Sequence, residues 1–210
     1  MLAAMWKIVA VVVLLFGLAC AGAALGGGWW WYATQERAKA EARKVQEIAV
    51  VEAEKKADVD QTEERMKQGE DRYAAEDWDG ALDAFDAVLD DQPDSAKARL
   101  GRGRAFAHLG RDERATEDLE MVLKVEPNNT EALDTLAWVY AHGGDDRAAV
   151  RTLDHLLDIA PENTKAWRDR ANVRFHMGER EQALLDAKRG CALGSEESCA
   201  LERRIKEAMR

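Results

Sequence analysis

The sequence lacks the signatures of catalysis and of nucleic-acid binding. It contains no phosphate-binding loop, no HExxH or CxxC motif and no nucleophile elbow, so we expect neither an enzyme nor a cofactor or metal site. Its formal net charge of −10 argues against a nucleic-acid partner, which normally meets a basic face. Only three of the 210 residues are proline and 33% are charged, which leaves room for one modest domain with extensions.

Cysteine is also scarce, with three residues in the chain. Cys20 lies in the apolar N-terminal stretch, whereas Cys191 and Cys199 are spaced to bridge the end of one C-terminal helix and the start of the next. In an oxidising compartment these two cysteines would form a disulfide. The alternative is a pair of small buried thiols.

What the sequence does contain is a 34-residue period between residues 62 and 197. Five independent registers share this period, which is hard to obtain by chance. A period of this length indicates stacked supersecondary units rather than one globular core. The registers are Pro93, Pro127, Pro161; Ala81, Ala115, Ala149, Ala183; Gly69, Gly103, Ala137, Ala171; Phe85, Leu119, Leu153, Ala187; and Leu89, Leu123, Leu157, Cys191.

Each unit contains two apolar-periodic segments with the spacing of one helix face. Gly110, Gly144 and Gly178 lie between the two segments, where a residue free to adopt positive φ can end the first helix. The prolines then end the second helix. Asn129 and Asn163 follow with side-chain oxygens that can cap the next helix. Each unit is therefore predicted to be a pair of antiparallel helices.

At these registers the sequence resembles the tetratricopeptide repeat family, whose unit is a helix-turn-helix of 34 residues. The third unit, TEALDTLAWVYAHGGDDRAAVRTLDHLLDIAPEN, is the clearest match. The resemblance covers four units, at 62–95, 96–129, 130–163 and 164–197. It implies an all-α fold in which four helix pairs stack into a right-handed α-solenoid. The amphipathic segment 198–210 is predicted to be a C-terminal capping helix.

The resemblance also implies where a partner binds. In this family the first helix of each unit lines a concave groove, in which an extended peptide or a partner helix docks. The mixture of aromatic side chains with arginine is typical of interface anchors. The groove residues carried over in this way are Tyr73, Arg104, His108, Trp138, His142, Lys165, Arg168, Asn172, Phe175 and His176.

Three of these residues, His108, His142 and His176, stand 34 residues apart in one register. A shared metal site is not expected, because neighbouring helices pack about 8–10 Å apart whereas Zn–N bonds are about 2 Å long. We interpret the histidines as polar residues at the groove end of each helix. Binding that depends on pH is the open alternative.

Two features depart from an ordinary repeat array. Arg102 and Arg170 stand where an aliphatic side chain normally packs between the two helices, so each needs a carboxylate partner or a path to solvent. The charge is also uneven, since residues 62–95 carry 3 basic and 12 acidic side chains. This acidity is either a solvated outer face or a means of attracting a basic partner.

The N-terminus contains an apolar run, Ile8–Leu25, of 18 residues without a charged side chain. Trp29–Tyr32 form an aromatic cluster at its far end, and residues 1–32 are therefore predicted to be a transmembrane signal anchor. The alternatives are cleavage of a signal peptide at Ala21-Gly22-Ala23 and lipidation of Cys20.

Residues 33–61 contain no glycine or proline, and their composition predicts a charged helical stalk. These segments together predict a single-pass membrane protein with its repeat domain in the periplasm, and a cytoplasm-facing domain is the alternative. The predicted function is a membrane-tethered scaffold that binds a partner peptide or helix in its groove. The alternative is a self-associating assembly factor of an envelope complex, which would be a homo-oligomer.

Overall fold

The structure, a computed structural model, describes residues 28–210. Its contacts divide the chain into two units, Met1–Asp60 and Gln61–Arg210. The described residues form nine helices, and the second unit is an all-α helical repeat solenoid. The helices are α1 Gly28–Ala74, α2 Trp78–Asp91, α3 Ala96–His108, α4 Asp112–Val125, α5 Thr130–His142, α6 Asp146–Ile159, α7 Thr164–His176, α8 Arg180–Ala192 and α9 Glu196–Ala208.

The described part of the first unit, residues 28–60, lies within α1. Side chains 39–61 are all exposed, in agreement with their many charged and alanine residues. The residues predicted to be a stalk, 33–61, are therefore helical. The predicted domain boundaries themselves remain a prediction.

The structure corrects the prediction of an N-terminal transmembrane helix. Among residues 28–210, no helix is both long enough and apolar enough to cross a bilayer. α1 carries Glu36, Arg37 and Lys39 soon after it begins, and charged side chains at the centre of a membrane helix cost roughly 2.5–3.5 kcal/mol each. The apolar run Ile8–Leu25 lies outside the described residues. The single-pass localisation and the periplasmic placement of the repeats depended on this helix and are corrected with it.

In the second unit, helices that follow one another in the chain pack together from α2 to α9. α3 also contacts α5, and α7 contacts the capping helix α9. A helix pair of this kind cannot bury its apolar face alone, and stacking supplies the missing neighbour.

The turns and caps that were predicted from the sequence are confirmed. Gly110, Gly144 and Gly178 have φ values of 67°, 81° and 82°, which lie in the left-handed region that glycine adopts without strain. The side-chain oxygens of Asn129 and Asn163 each accept a hydrogen bond from the backbone N–H three residues later, at 2.9 and 3.0 Å. These bonds satisfy amide groups that would otherwise lack a partner at the start of α5 and α7.

The side chain of Phe85 on α2 packs between two glycines of neighbouring helices. Phe85 is fully buried. A Cβ atom at Gly69 of α1 would lie 2.6 Å from the ring, and one at Gly101 of α3 would lie 2.4 Å from it. Both distances are too short for real atoms, so the approach of these three helices requires glycine at both positions.

Arg102 on α3 has the carboxylate partners that its position demanded. Its guanidinium donates two hydrogen bonds of 2.7 Å to the two oxygens of Asp118 on α4, and a third of 2.7 Å to Asp86 on α2. Asp118 is only 4% exposed. The hydrogen bonds that Arg102 donates to Asp118 raise the pKa of Arg102, although burial acts in the opposite direction.

The same arrangement recurs two repeat lengths later. Arg170 on α7 donates to both oxygens of Asp186 on α8, at 3.0 and 2.7 Å, and to Asp154 on α6. Arg174 donates to Asp186 as well, at 2.7 Å. The repeat between the two clusters has the buried aliphatic Leu136 in place of arginine. We call these two Arg–Asp–Asp clusters the ionic clamps.

α9 covers the open end of the array, as a capping helix should. Its residues Leu201 and Ile205 are 6% and 0% exposed and pack against Ala183 and Ala187 of α8. At roughly 25 cal/mol per Å² of apolar surface, burying two such side chains stabilises the docked helix by about 3–5 kcal/mol.

Removal of Asp186 tests the second ionic clamp. Asp186→Ala leaves Arg170 and Arg174 without their buried carboxylate, and we expect a loss of about 3 kcal/mol in the free energy of unfolding, measured by urea denaturation. Asp158→Ala removes an exposed carboxylate of α6 and is the matched control, expected within about 0.5 kcal/mol of the wild type. Equal stability of the two variants would contradict the structural role of the clamp.

Candidate functional site

A cleft of about 270 Å³ opens on the face formed by α1, α3, α5 and α7. It brings together five of the ten residues predicted to line a groove, namely Tyr73, Arg104, His108, Trp138 and Lys165. The cleft is also lined by Ala107, Glu131, Asp134 and Thr135. We refer to it as the central cleft.

Five aromatic rings form a continuous series, and three of them, Tyr73, His108 and Trp138, line the central cleft. The rings of Trp78 and Tyr73 form a T-shaped contact with 4.8 Å between their centroids, and Trp78 stacks on His108 at 4.2 Å. His108 lies 6.2 Å from Trp138, which in turn stacks on His142 at 3.8 Å. Trp138 remains 38% exposed, an unusual state for so large an apolar side chain. Part of the Trp138 side chain is therefore accessible to a partner.

Trp78 is the member of this series that the sequence did not predict. It is the first residue of α2, and the groove was predicted from first helices only. Its contact with His108 comes from the approach of α2 and α3 in the fold, for which no periodic signal exists in the sequence.

The basic side chain of Arg104 is held on two sides. Its guanidinium lies over the ring of Tyr73, 4.1 Å from the centroid, and forms an ion pair of 2.7 Å with Glu131. Planar stacking and a carboxylate contact together fix the orientation of an arginine. Arg104 thus joins α1, α3 and α5 at the wall of the cleft.

Lys165 is held in a similar way on the other side of the cleft. Its ammonium group contacts Asp134 of α5 at 2.7 Å and Asp169 of its own helix at 3.1 Å. Burial lowers the pKa of Lys165, but the hydrogen bond to Asp134 and the charge of Asp169 outweigh it, so the pKa is raised. Lys165 is therefore a charged residue that already has its counter-ions.

Three more predicted residues, Asn172, Phe175 and His176, line a second cavity of about 600 Å³. Arg204 of α9 also lines this cavity. The sequence did not predict it, because the capping helix lies outside the repeat registers. The Arg204 guanidinium donates to Asn172 Oδ1 at 3.3 Å and lies 5.7 Å from the Phe175 ring centroid. Asp146 Oδ2 is 3.5 Å from His176 Nδ1.

The remaining predicted residues do not converge on one centre. Arg168 lines neither cavity and pairs with its neighbour Asp169 at 2.9 Å. The three histidines of one register have separate partners, since His108 stacks on Trp78, His142 on Trp138, and His176 approaches Asp146. In the described part of the chain, no group of three His, Cys, Asp or Glu residues could hold a metal ion.

Cys191 and Cys199 are bonded to each other in the structure, with 4.6 Å between their Cα atoms. The bond joins the end of α8 to the first turn of α9. α8 and α9 also pack closely beside this bond, since a Cβ atom at Gly190 of α8 would lie 2.5 Å from Ser198 Oγ of α9. The helix that carries Arg204 is therefore firmly held on α8.

These features define a class of protein: a helical repeat solenoid with an aromatic cleft on the face of its first helices. Residues 66–132 match the family model described as tetratricopeptide repeat, which supports the family predicted from the 34-residue registers. No curated protein sequence matches the chain.

Several solved structures have the same fold. A crystal structure of MamA protein is 20% identical over 70% of this chain and 86% of MamA, with a TM-score of 0.60. TTC0263, a thermophilic TPR protein in Thermus thermophilus, is 21% identical over 70% of this chain and 82% of its own, with a TM-score of 0.58. MamA 41-end from Desulfovibrio magneticus RS-1 is 19% identical over 63% and 75%, with a TM-score of 0.61. At these identities the likeness shows the fold alone.

Reduction of the Cys191–Cys199 bond should lower the stability of the protein. The bond closes a short loop in the unfolded chain, and we expect its loss to reduce the free energy of unfolding by about 2 kcal/mol, measured by urea denaturation with and without reductant. The double variant C191S/C199S should not respond to reductant. Mass spectrometry after alkylation without reductant should find only Cys20 modified; three modified cysteines would show that the bond is absent.

Proposed function

We propose that the repeat array is a protein–protein interaction scaffold that binds a peptide or helix of a partner against the central cleft. The observation that carries the proposal is the partly exposed Trp138, which lies between His108 and His142 and close to the stacked Arg104. Tryptophan, tyrosine and arginine are the residues most enriched among those that dominate binding energy at protein interfaces.

The cleft is organised before any partner arrives. Stacking holds His108 and Trp138, and an ion pair together with stacking holds Arg104. Side chains that are already ordered lose little conformational entropy on binding, so more of the contact energy is available as affinity. The central cleft thus has the rigidity expected of a recognition surface.

The exposed area of Trp138 indicates how much binding free energy this side chain can contribute. An exposed fraction of 38% corresponds to an area on the order of 90 Å². Burying this area at roughly 25 cal/mol per Å² contributes about 2 kcal/mol, which is close to a thirtyfold change in affinity. A single residue of this kind can therefore act as the anchor for a partner segment.

Truncation of Trp138 tests the scaffold function. Random 12-residue peptides displayed on phage are selected on the full-length protein, and their dissociation constants are measured by fluorescence polarisation. We expect Trp138→Ala to weaken the selected peptides about tenfold or more, because the anchor surface is removed. Leu185→Ala, which truncates a 65% exposed leucine on α8, is the control and should leave binding unchanged. Failure to select a peptide, or equal binding by Trp138→Ala, would refute the proposal.

Self-association through α1 is a second candidate, favoured by a different observation. The exposed part of α1 carries Val45, Ile48, Val51 and Val59, whose exposed fractions range from 44% to 59%. Aliphatic side chains on a solvent-facing helix favour contact with another apolar surface. A second copy of the same helix would supply one.

Sedimentation velocity of the full-length protein tests this candidate. If α1 mediates self-association, the wild type should sediment as an oligomer and the variant V45E/I48E as a smaller species, because the new charges repel each other across the contact. The variant L185E places a charge on α8 instead and should behave as the wild type. A monomeric wild type, or an oligomer unaffected by V45E/I48E, would exclude α1 as the interface.

A further inference from the structure

Most of the net negative charge of the chain lies in its first repeat. Residues 62–95 contain 12 acidic and 3 basic side chains, which accounts for nine of the ten net negative charges of the whole sequence. Within the described residues, ion pairs neutralise only three of these acids: Asp79 with Arg111, Asp86 with Arg102, and Asp91 with Arg65. The other nine acids form no ion pair in that part of the chain.

Two of the acids without an ion pair lie on the same face as the central cleft. Glu70 and Glu63 precede Tyr73 on α1 by three and ten residues, so the helical repeat places all three side chains on one face. Tyr73 lines the cleft. The acidic face of α1 is therefore continuous with one wall of the aromatic cleft.

The bases that line the cleft cannot neutralise this face, because they are already paired. Arg104 is bound to Glu131, and Lys165 to Asp134. Lys97 on α3 and Lys67 on α1 are exposed and have no ion pair within the described residues, so together they offset two charges at most. Nine acids of the first repeat have no ion pair in this part of the chain, so carboxylates remain in excess around the α1 end of the groove.

We infer that the partner segment is basic: a bulky apolar side chain rests on Trp138, and lysine or arginine residues beside it face Glu63 and Glu70. This inference rests on the proposed function and specifies the chemistry of the partner. The apolar anchor supplies most of the affinity, because exposed ion pairs contribute little energy individually. The charges steer the encounter with the partner and provide selectivity. The acidic repeat thus selects against acidic segments that would otherwise fit the aromatic cleft.

The peptides selected on the full-length protein test the inference. Among peptides whose binding is weakened by Trp138→Ala, we expect lysine and arginine to outnumber aspartate and glutamate. Raising NaCl from about 50 to about 500 mM should weaken such a peptide about fivefold, because screening shortens the Debye length to a few ångströms. Replacing the lysines and arginines of the peptide with glutamine should weaken it by a similar factor.

Charge reversal on the protein locates the effect. E63K/E70K should weaken the basic peptides about tenfold, because two attractive charges become repulsive beside the cleft. E162K/E181K is the matched control: it makes the same change in net charge at two exposed acids without ion pairs in residues 28–210, and it should change the dissociation constant less than about twofold.

The outcomes separate the two proposals. Peptides that require Trp138 but carry no basic excess, or that bind E63K/E70K as tightly as the wild type, would overturn the basic-partner inference and leave the scaffold function standing. Equal weakening by E63K/E70K and E162K/E181K would also overturn it, since the effect would then be one of net charge alone. If no selected peptide requires Trp138, the scaffold function itself fails.

Discussion

The packing of Phe85 between Gly69 and Gly101 sets the separation of α1 and α3, and the central cleft depends on that separation. Gly69 lies one turn before Tyr73 on α1, and Gly101 lies one turn before Arg104 on α3. The stacking of Arg104 on Tyr73 therefore occurs one helical turn from the point where the two backbones approach the Phe85 ring. A side chain at either glycine would push the helices apart and open this contact. The recognition surface is thus built directly on the core.

The sequence could predict those features that are local or periodic. Glycine at a helix end and asparagine before a helix start act on the backbone within a few residues. Asn129, for example, caps α5 by accepting a hydrogen bond from the backbone N–H of Ala132. The ionic clamps were also foreseeable in outline. Arg102 and Arg170 occupy positions that the array buries, and a buried guanidinium requires carboxylate partners wherever they come from. The repeat period identified these positions as buried, and the charge of arginine implied a carboxylate partner at each.

The remaining features required the three-dimensional arrangement. Trp78 joins the aromatic series through its contact with His108 between α2 and α3, and Arg204 reaches the second cavity from a helix outside the repeats. Arg168 pairs with the adjacent Asp169, a choice between nearby partners that the repeat registers do not predict. The transmembrane prediction rested on the composition of residues 1–32, most of which lie outside the described residues, and no described helix supports it.

The ionic clamps also bear on how such an array can change length. They recur at every second repeat, and each draws its outer aspartate from the repeat before it. Deletion of residues 96–163, two whole repeats, would place Asp86 where Asp154 contacts Arg170 and would restore the same chemistry. Deletion of the third repeat alone, residues 130–163, would place the longer side chain of Glu120 where Asp154 contacts Arg170. The array is therefore modular in pairs of repeats, and a designer who shortens or extends it should work in steps of two.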